Sequence, residues 1–189
     1  GGAAARVLIT ARRSSWPRDL GLVPLRLEVF TPEESLAFLR RYLPAAADQD
    51  LHALAERLGH LPLALELAGR YLADLPRLPV AGYTARMRDA LGDPSMNNWL
   101  AELGNPTGHD LDLAATFALS WQRVTGPEGP AARRLFAIAG WCAPNQPIPC
   151  QVLEQAAGLD AESCDQAAGL LARLGLVDWE NRLAGPALH

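Results

Sequence analysis

From residue 31 onward the chain is punctuated as a series of short helices, and this pattern constrains the fold more than any other feature of the sequence. Thr31-Pro32-Glu33-Glu34 combines a capping hydroxyl, a proline suited to a first turn and a glutamate that can bond back to the cap. The helix it opens continues through Ser35 to Leu43 and stops at Pro44. Leu51, Leu54, Ala55 and Leu58 then recur at i, i+3, i+4, i+7, and Gly59 ends that run. The next stretch, Leu61 to Leu72, carries two apolar stripes, one through Leu61, Leu65, Ala68 and Leu72 and another through Leu63 and Leu67. A helix apolar on more than one face belongs in the middle of a bundle. A fourth helix over Val80 to Leu91 completes it.

The flanking regions read differently. Val7-Leu8-Ile9 is a short apolar run with two β-branched residues, which predicts a buried strand of the kind found in parallel sheets. A second short strand is expected over Leu25 to Val29. One or two strands make no sheet, so their partners are expected outside this sequence. Gly92 to Gly108 is rich in Gly, Pro and Asn and reads as a linker with one short helix near Trp99-Leu100. Helical spacing then returns: Leu113, Phe117 and Trp121 share one face, and Ala132, Leu135, Phe136 and Ala139 share another. The proline-rich stretch Ala143 to Pro149 interrupts. Helices are predicted over Cys150 to Ala157 and Ala161 to Leu174, Gly175 breaks the second, and Leu176 to Glu180 alternates as a strand before a turn at Asn181. Several helices followed by a β-hairpin is the order of a winged helix.

Composition removes several function classes. The chain has 189 residues and a net charge of −4, with its basic residues scattered. Affinity for nucleic acid rests largely on neutralised phosphates, so this balance argues against DNA or RNA as partner. All seventeen basic residues are arginine. Chemistry that needs a lysine, such as a phosphate-binding loop or a Schiff base, is therefore excluded within this sequence. No apolar run is long enough to span a bilayer and no signal peptide is visible at the start, so the expectation is a cytoplasmic, membrane-free protein from a GC-rich bacterial genome. Cys142, Cys150 and Cys164 lack the short paired spacing of a zinc site and read as small buried hydrophobes. His52, His60, His109 and His189 form no ligand pattern with them, and neither a metal site nor a catalytic residue is expected.

Two segments carry chemistry. In Val7-Leu8-Ile9-Thr10-Ala11-Arg12 a buried strand ends in a hydroxyl and a guanidinium. Ligands of open α/β sheets bind beyond the carboxyl ends of strands, where an arginine can grip a terminal phosphate bidentately. The same arginine can equally be a solvated strand end. In Leu58-Gly59-His60-Leu61-Pro62-Leu63-Ala64-Leu65 a helix stops and another starts on a proline, which offers a rigid apolar face and has no N–H to leave unsatisfied. Read alone, this is a break and restart.

Taken in order, Thr10-Ala11-Arg12, Thr31-Pro32-Glu33-Glu34, Leu58-Gly59 and Leu61-Pro62-Leu63-Ala64-Leu65 resemble the sensor-1 strand, helical bundle and Gly-Leu-Pro-Leu motif of the NB-ARC and related STAND-class signalling ATPases. His60 departs from the motif, which often has glycine there. Leu119-Ser120-Trp121 and Leu174-Gly175-Leu176-Val177 are similar to the winged-helix domain of the same family. The resemblance implies a mainly α chain in three parts. Residues 1–29 are the remnant of an α/β P-loop NTPase core, residues 30–104 a helical bundle, and residues 105–189 a winged-helix domain. It implies that Thr10 and Arg12 sense the terminal phosphate, that Leu61 and Pro62 lie against the adenine base, and that His189 stands where the family has a histidine that contacts the β-phosphate of ADP. ATP or ADP would be the cofactor, with Mg in the parent protein, and the partners would be other domains of the parent and further proteins.

The phosphate loop Gly-x-x-x-x-Gly-Lys-[Ser/Thr] and an acidic strand end are missing from this sequence. The parent is therefore expected to be an ATPase, and this stretch alone non-catalytic and at most a weak nucleotide binder. Two other classes stay open. A DNA-binding winged-helix regulator would need arginines gathered on one helix of residues 130–175, where Arg133, Arg134 and Arg173 lie beside Glu154, Asp160, Glu162 and Asp165. A helical scaffold for protein partners would place Arg12 and Pro62 on unrelated surfaces.

Overall fold

The computed structural model describes residues 21, 23, 25, 27–91, 108–142 and 147–178. Among them are eight helices and no strand. Four come first: α1 (Pro32–Arg40), α2 (Asp48–Arg57), α3 (Pro62–Ala73) and α4 (Val80–Leu91). Then follow α5 (Gly108–Gln122), α6 (Gly129–Ala139), α7 (Cys150–Ala157) and α8 (Ala161–Arg173). The mainly α class expected from the sequence is what the described residues form. No helix among them is long and apolar enough to cross a membrane.

Local chemistry accounts for the helix ends. The Thr31 hydroxyl accepts from Glu34 N at 3.2 Å while the Glu34 carboxylate accepts from Thr31 N at 2.8 Å, a reciprocal cap worth about 1 kcal/mol. α1 stops at Arg40, earlier than the apolar pattern predicts. The Arg40 guanidinium turns back to donate to the carbonyls of Pro44 and Ala46 at 3.1 and 3.3 Å and pairs with Asp48 at the start of α2. Asp160 caps α8 by accepting from Ser163 N at 2.7 Å, a bond that holds its carboxyl below the ordinary aspartate range. At the other end of α8, Gly175 takes φ +74°. Its N–H bonds to Ala172 O, and Leu176 N–H bonds to Leu171 O, the paired closure of a Schellman motif.

That closure corrects one expectation. Leu176 begins the run read as a strand, but its N–H is consumed in ending α8, and no strand forms over residues 176–178. The strand expected over Leu25 to Val29 is likewise absent from its described residues. A strand exists only by hydrogen bonding to another strand, and here Val23, Leu25 and Leu27 are 91%, 78% and 86% exposed. The short helix expected near Trp99-Leu100, the strand at residues 7–9 and residues 179–189 lie outside the described residues.

Two hydrophobic clusters form. The first draws on α1 to α4 and three residues of α5, Ala115, Ala118 and Leu119. Its centre is α3, buried on several faces through Ala64, Leu65, Leu67, Ala68, Tyr71 and Leu72. Gly69 lets α3 lie against Tyr42, since a β-carbon there would come 2.8 Å from the ring. Tyr83 from α4 sits fully buried with its ring 5.1 Å from that of Tyr71, and burial pushes its phenol pKa up. The second cluster comprises Val124, Ala132 and Leu135, residues of α7 and α8, and Leu174. Its fully buried Cys164 is the small hydrophobe the sequence predicts, whereas Cys142 and Cys150 are half-buried. α5 reaches both clusters: its middle packs on α3 and α4, and Phe117 and Trp121 near its end meet Phe136 of α6 at 6.0 and 5.1 Å between ring centroids.

Candidate functional site

The turn between α2 and α3 holds the two predicted base-contacting residues that fall among the described ones. Gly59 closes α2 with φ +59°, and His60 follows at φ +55°, the one non-glycine with positive φ among the described residues. A β-carbon in that region costs about 1–2 kcal/mol. The neighbours hold it there. His60 N donates to Ala55 O at 3.0 Å, His60 O accepts from Phe30 N at 3.0 Å, and the imidazole Nδ1 lies 2.8 Å from Ser35 Oγ. Ser35 is fully buried in α1, so its hydroxyl needs a partner, and the imidazole supplies it. Nε2, on the other side of the ring, is left facing away from Ser35.

Leu61 is half-buried against the first cluster and caps the start of α3. Pro62 occupies the first turn of α3 and is exposed, as is Leu63 at 54%. The rim of this turn is thus apolar and open to solvent at Pro62 and Leu63. Phe30 is held to the same turn, its N–H tied to His60 O and its ring packed 5.6 Å from that of Phe38. Thr10, Arg12 and His189 lie outside the described residues, so Leu61 and Pro62 are the members of the expected site with defined positions.

The opposite end of α3 is polar, and residue-by-residue reading of the sequence missed it. Glu66, Arg70 and Asp74 follow one another at four-residue spacing, which puts them on one face of the helix. Arg70 binds Glu66 through Nε at 3.0 Å and Nη2 at 2.8 Å, and its Nη1 donates to Ala172 O at 2.9 Å. Burial opposes the Arg70 charge, but Glu66 outweighs it and pushes the pKa up, so the guanidinium stays charged. Asp74 pairs with Arg123 at the end of α5 and has Arg173 Nε at 4.0 Å. Arg123 also lies over the Tyr71 ring at 5.2 Å, and Arg86 donates to the Tyr71 hydroxyl at 3.1 Å. Two shallow cavities of about 370 and 380 Å³ flank Arg86, one lined by Tyr71, Asp89 and Gln122, the other by Asp74 and Arg77. The four-residue spacing was the available signal for the stripe; nothing in the sequence marks Arg123 as its partner.

Among the described residues no group of three His, Cys, Asp or Glu could hold a metal ion. In class this is a helical protein with two hydrophobic clusters, an exposed apolar rim at one end of its central helix and a charged stripe at the other. No protein-family model, curated protein or solved structure matches the chain.

Proposed function

We propose that this chain is the C-terminal part of the nucleotide-binding module of an NB-ARC-type signalling switch, in which Leu61 and Pro62 border the adenine of ATP or ADP. The observation that supports the reading most is the bond from Phe30 N to His60 O. It holds Phe30 beside the turn that displays Pro62. In this reading Arg12 grips the terminal phosphate, Thr10 lies beside it, and His189 reports the β-phosphate from the winged-helix part spanning residues 105–189. Magnesium and the phosphate loop are supplied by the parent protein, which acts on protein partners in the bacterial cytoplasm.

The regulator that binds DNA through a winged helix is the second reading, and the arginine geometry disfavours it. Arg133 donates to Val124 O at 3.0 Å and lies over Trp121, Arg134 donates to Ala157 O at 2.7 Å, and the exposed side of α8 carries Glu162 and Asp165. A protein scaffold needs no such cleft.

Photolabelling of the 189-residue chain with 8-azido-ADP tests the proposal. Label is expected on the peptide spanning residues 59–65 and is expected to fall several-fold in Pro62→Ala. Label distributed over unrelated peptides, undiminished in Pro62→Ala, would sink it. Calorimetry should show at most weak ATP binding, and sub-micromolar affinity would contradict the division of labour with an upstream phosphate loop.

A further inference from the structure

We infer that the Glu66–Arg70–Asp74 stripe is a salt-sensitive latch between the two helical units, and that its release lets them part about residues 125–128 with both clusters intact. Each unit has a cluster of its own. Among the described residues the end of α8 makes two polar contacts with α3, Ala172 O on Arg70 and Arg173 on Asp74, and Arg123, at the start of the connection from α5 to α6, pairs with the same Asp74. Phe117, Trp121 and Phe136 form an aromatic contact at the end of α5. Between these two sets runs the connection from α5 to α6, where Gly126 takes φ +82°. An aromatic pivot and a polar catch that flank a glycine-bearing connection are the parts of a hinge.

The balance of forces makes the catch the weak side. The latch side chains are 26–60% exposed. Ion pairs at such exposure contribute little each and are screened by salt. The clusters are apolar, and salt does not weaken apolar burial in that way. Fit is close at one point: a β-carbon on Gly175 would come 2.9 Å from Arg70 Cδ and 3.3 Å from Leu67 Cδ2. A side chain at that position would press on Arg70 and Leu67, so glycine favours the seating of α8 against α3. A junction of this kind opens before either unit unfolds. The inference stands without the nucleotide reading.

Hydrogen-exchange mass spectrometry on the 189-residue chain tests it, comparing about 0.05 and 0.5 M sodium chloride, across which the Debye length falls steeply. High salt is expected to speed exchange in peptides covering residues 125–128 and 172–178, with peptides from the middle of α3 and α8 unchanged. The double variant Arg70→Met, Asp74→Asn should do the same at low salt, by about 5- to 30-fold, the factor that about 1–2 kcal/mol gives. Equal acceleration throughout both clusters would show general loosening and overturn the latch. So would unchanged exchange at residues 125–128 in high salt, a result that needs no variant to fold.

Discussion

The two ends of α3 use one helix in opposite ways. At its start the chain accepts a left-handed histidine, pinned by a buried serine, and leaves Pro62 and Leu63 open to solvent. Toward its other end it presents Glu66, Arg70 and Asp74, and the ends of α5 and α8 bond to Arg70 and Asp74. Leu65 and Ala68, on the buried face of the same helix, are fully buried and support both. The difference teaches where each kind of contact belongs. An apolar rim left exposed is held by covalent rigidity and backbone bonds, so it keeps its shape without an occupant. A charged stripe holds its geometry only through its partners, so it can be undone without disturbing the core.

The comparison breaks completely if the shared middle fails. Leu65→Ala removes a fully buried side chain and is expected to cost about 2–5 kcal/mol, read as a fall in the denaturant midpoint of the first unit. Both ends should then lose order together; a variant that loosens only one end would show that they are held independently. A smaller effect isolates the polar end. Gly175→Ala puts a β-carbon on a left-handed residue and against Arg70, at about 1–3 kcal/mol by thermal or chemical unfolding. A neutral result would mean that α8 does not seat on α3 as described.

The smallest effect sharpens the apolar end. His60→Gly relieves backbone strain but leaves Ser35 Oγ buried without its partner, so the two changes oppose each other. Adding Ser35→Ala removes that penalty, and the double variant should exceed His60→Gly in stability by about 1 kcal/mol. Equal stability of the two would mean that the serine hydroxyl does not depend on the imidazole.

The candidate site was partly legible before any coordinates. Pro62 at a helix start and Gly59 at a helix end are local features, and both stand where the pattern put them. The pairing of His60 with Ser35 was not legible. It joins residues on different helices, and a serine inside an amphipathic run gives no sign that it will be buried. The face made by Glu66, Arg70 and Asp74 was written in their spacing, but its partners Arg123 and Ala172 are 49 and 102 residues from the groups they meet.

What the sequence determined by itself is where helices begin and end, because capping hydroxyls, first-turn prolines and left-handed glycines act within a few residues of themselves. Thr31, Pro62, Asp160 and Gly175 each do so here. Tertiary structure alone decided that α5 belongs to both clusters and that the alternating run at residues 25–29 forms no ladder among the described residues. A helix satisfies its own backbone, whereas a strand, a helix face and a buried hydroxyl are completed only by what the rest of the chain brings to them.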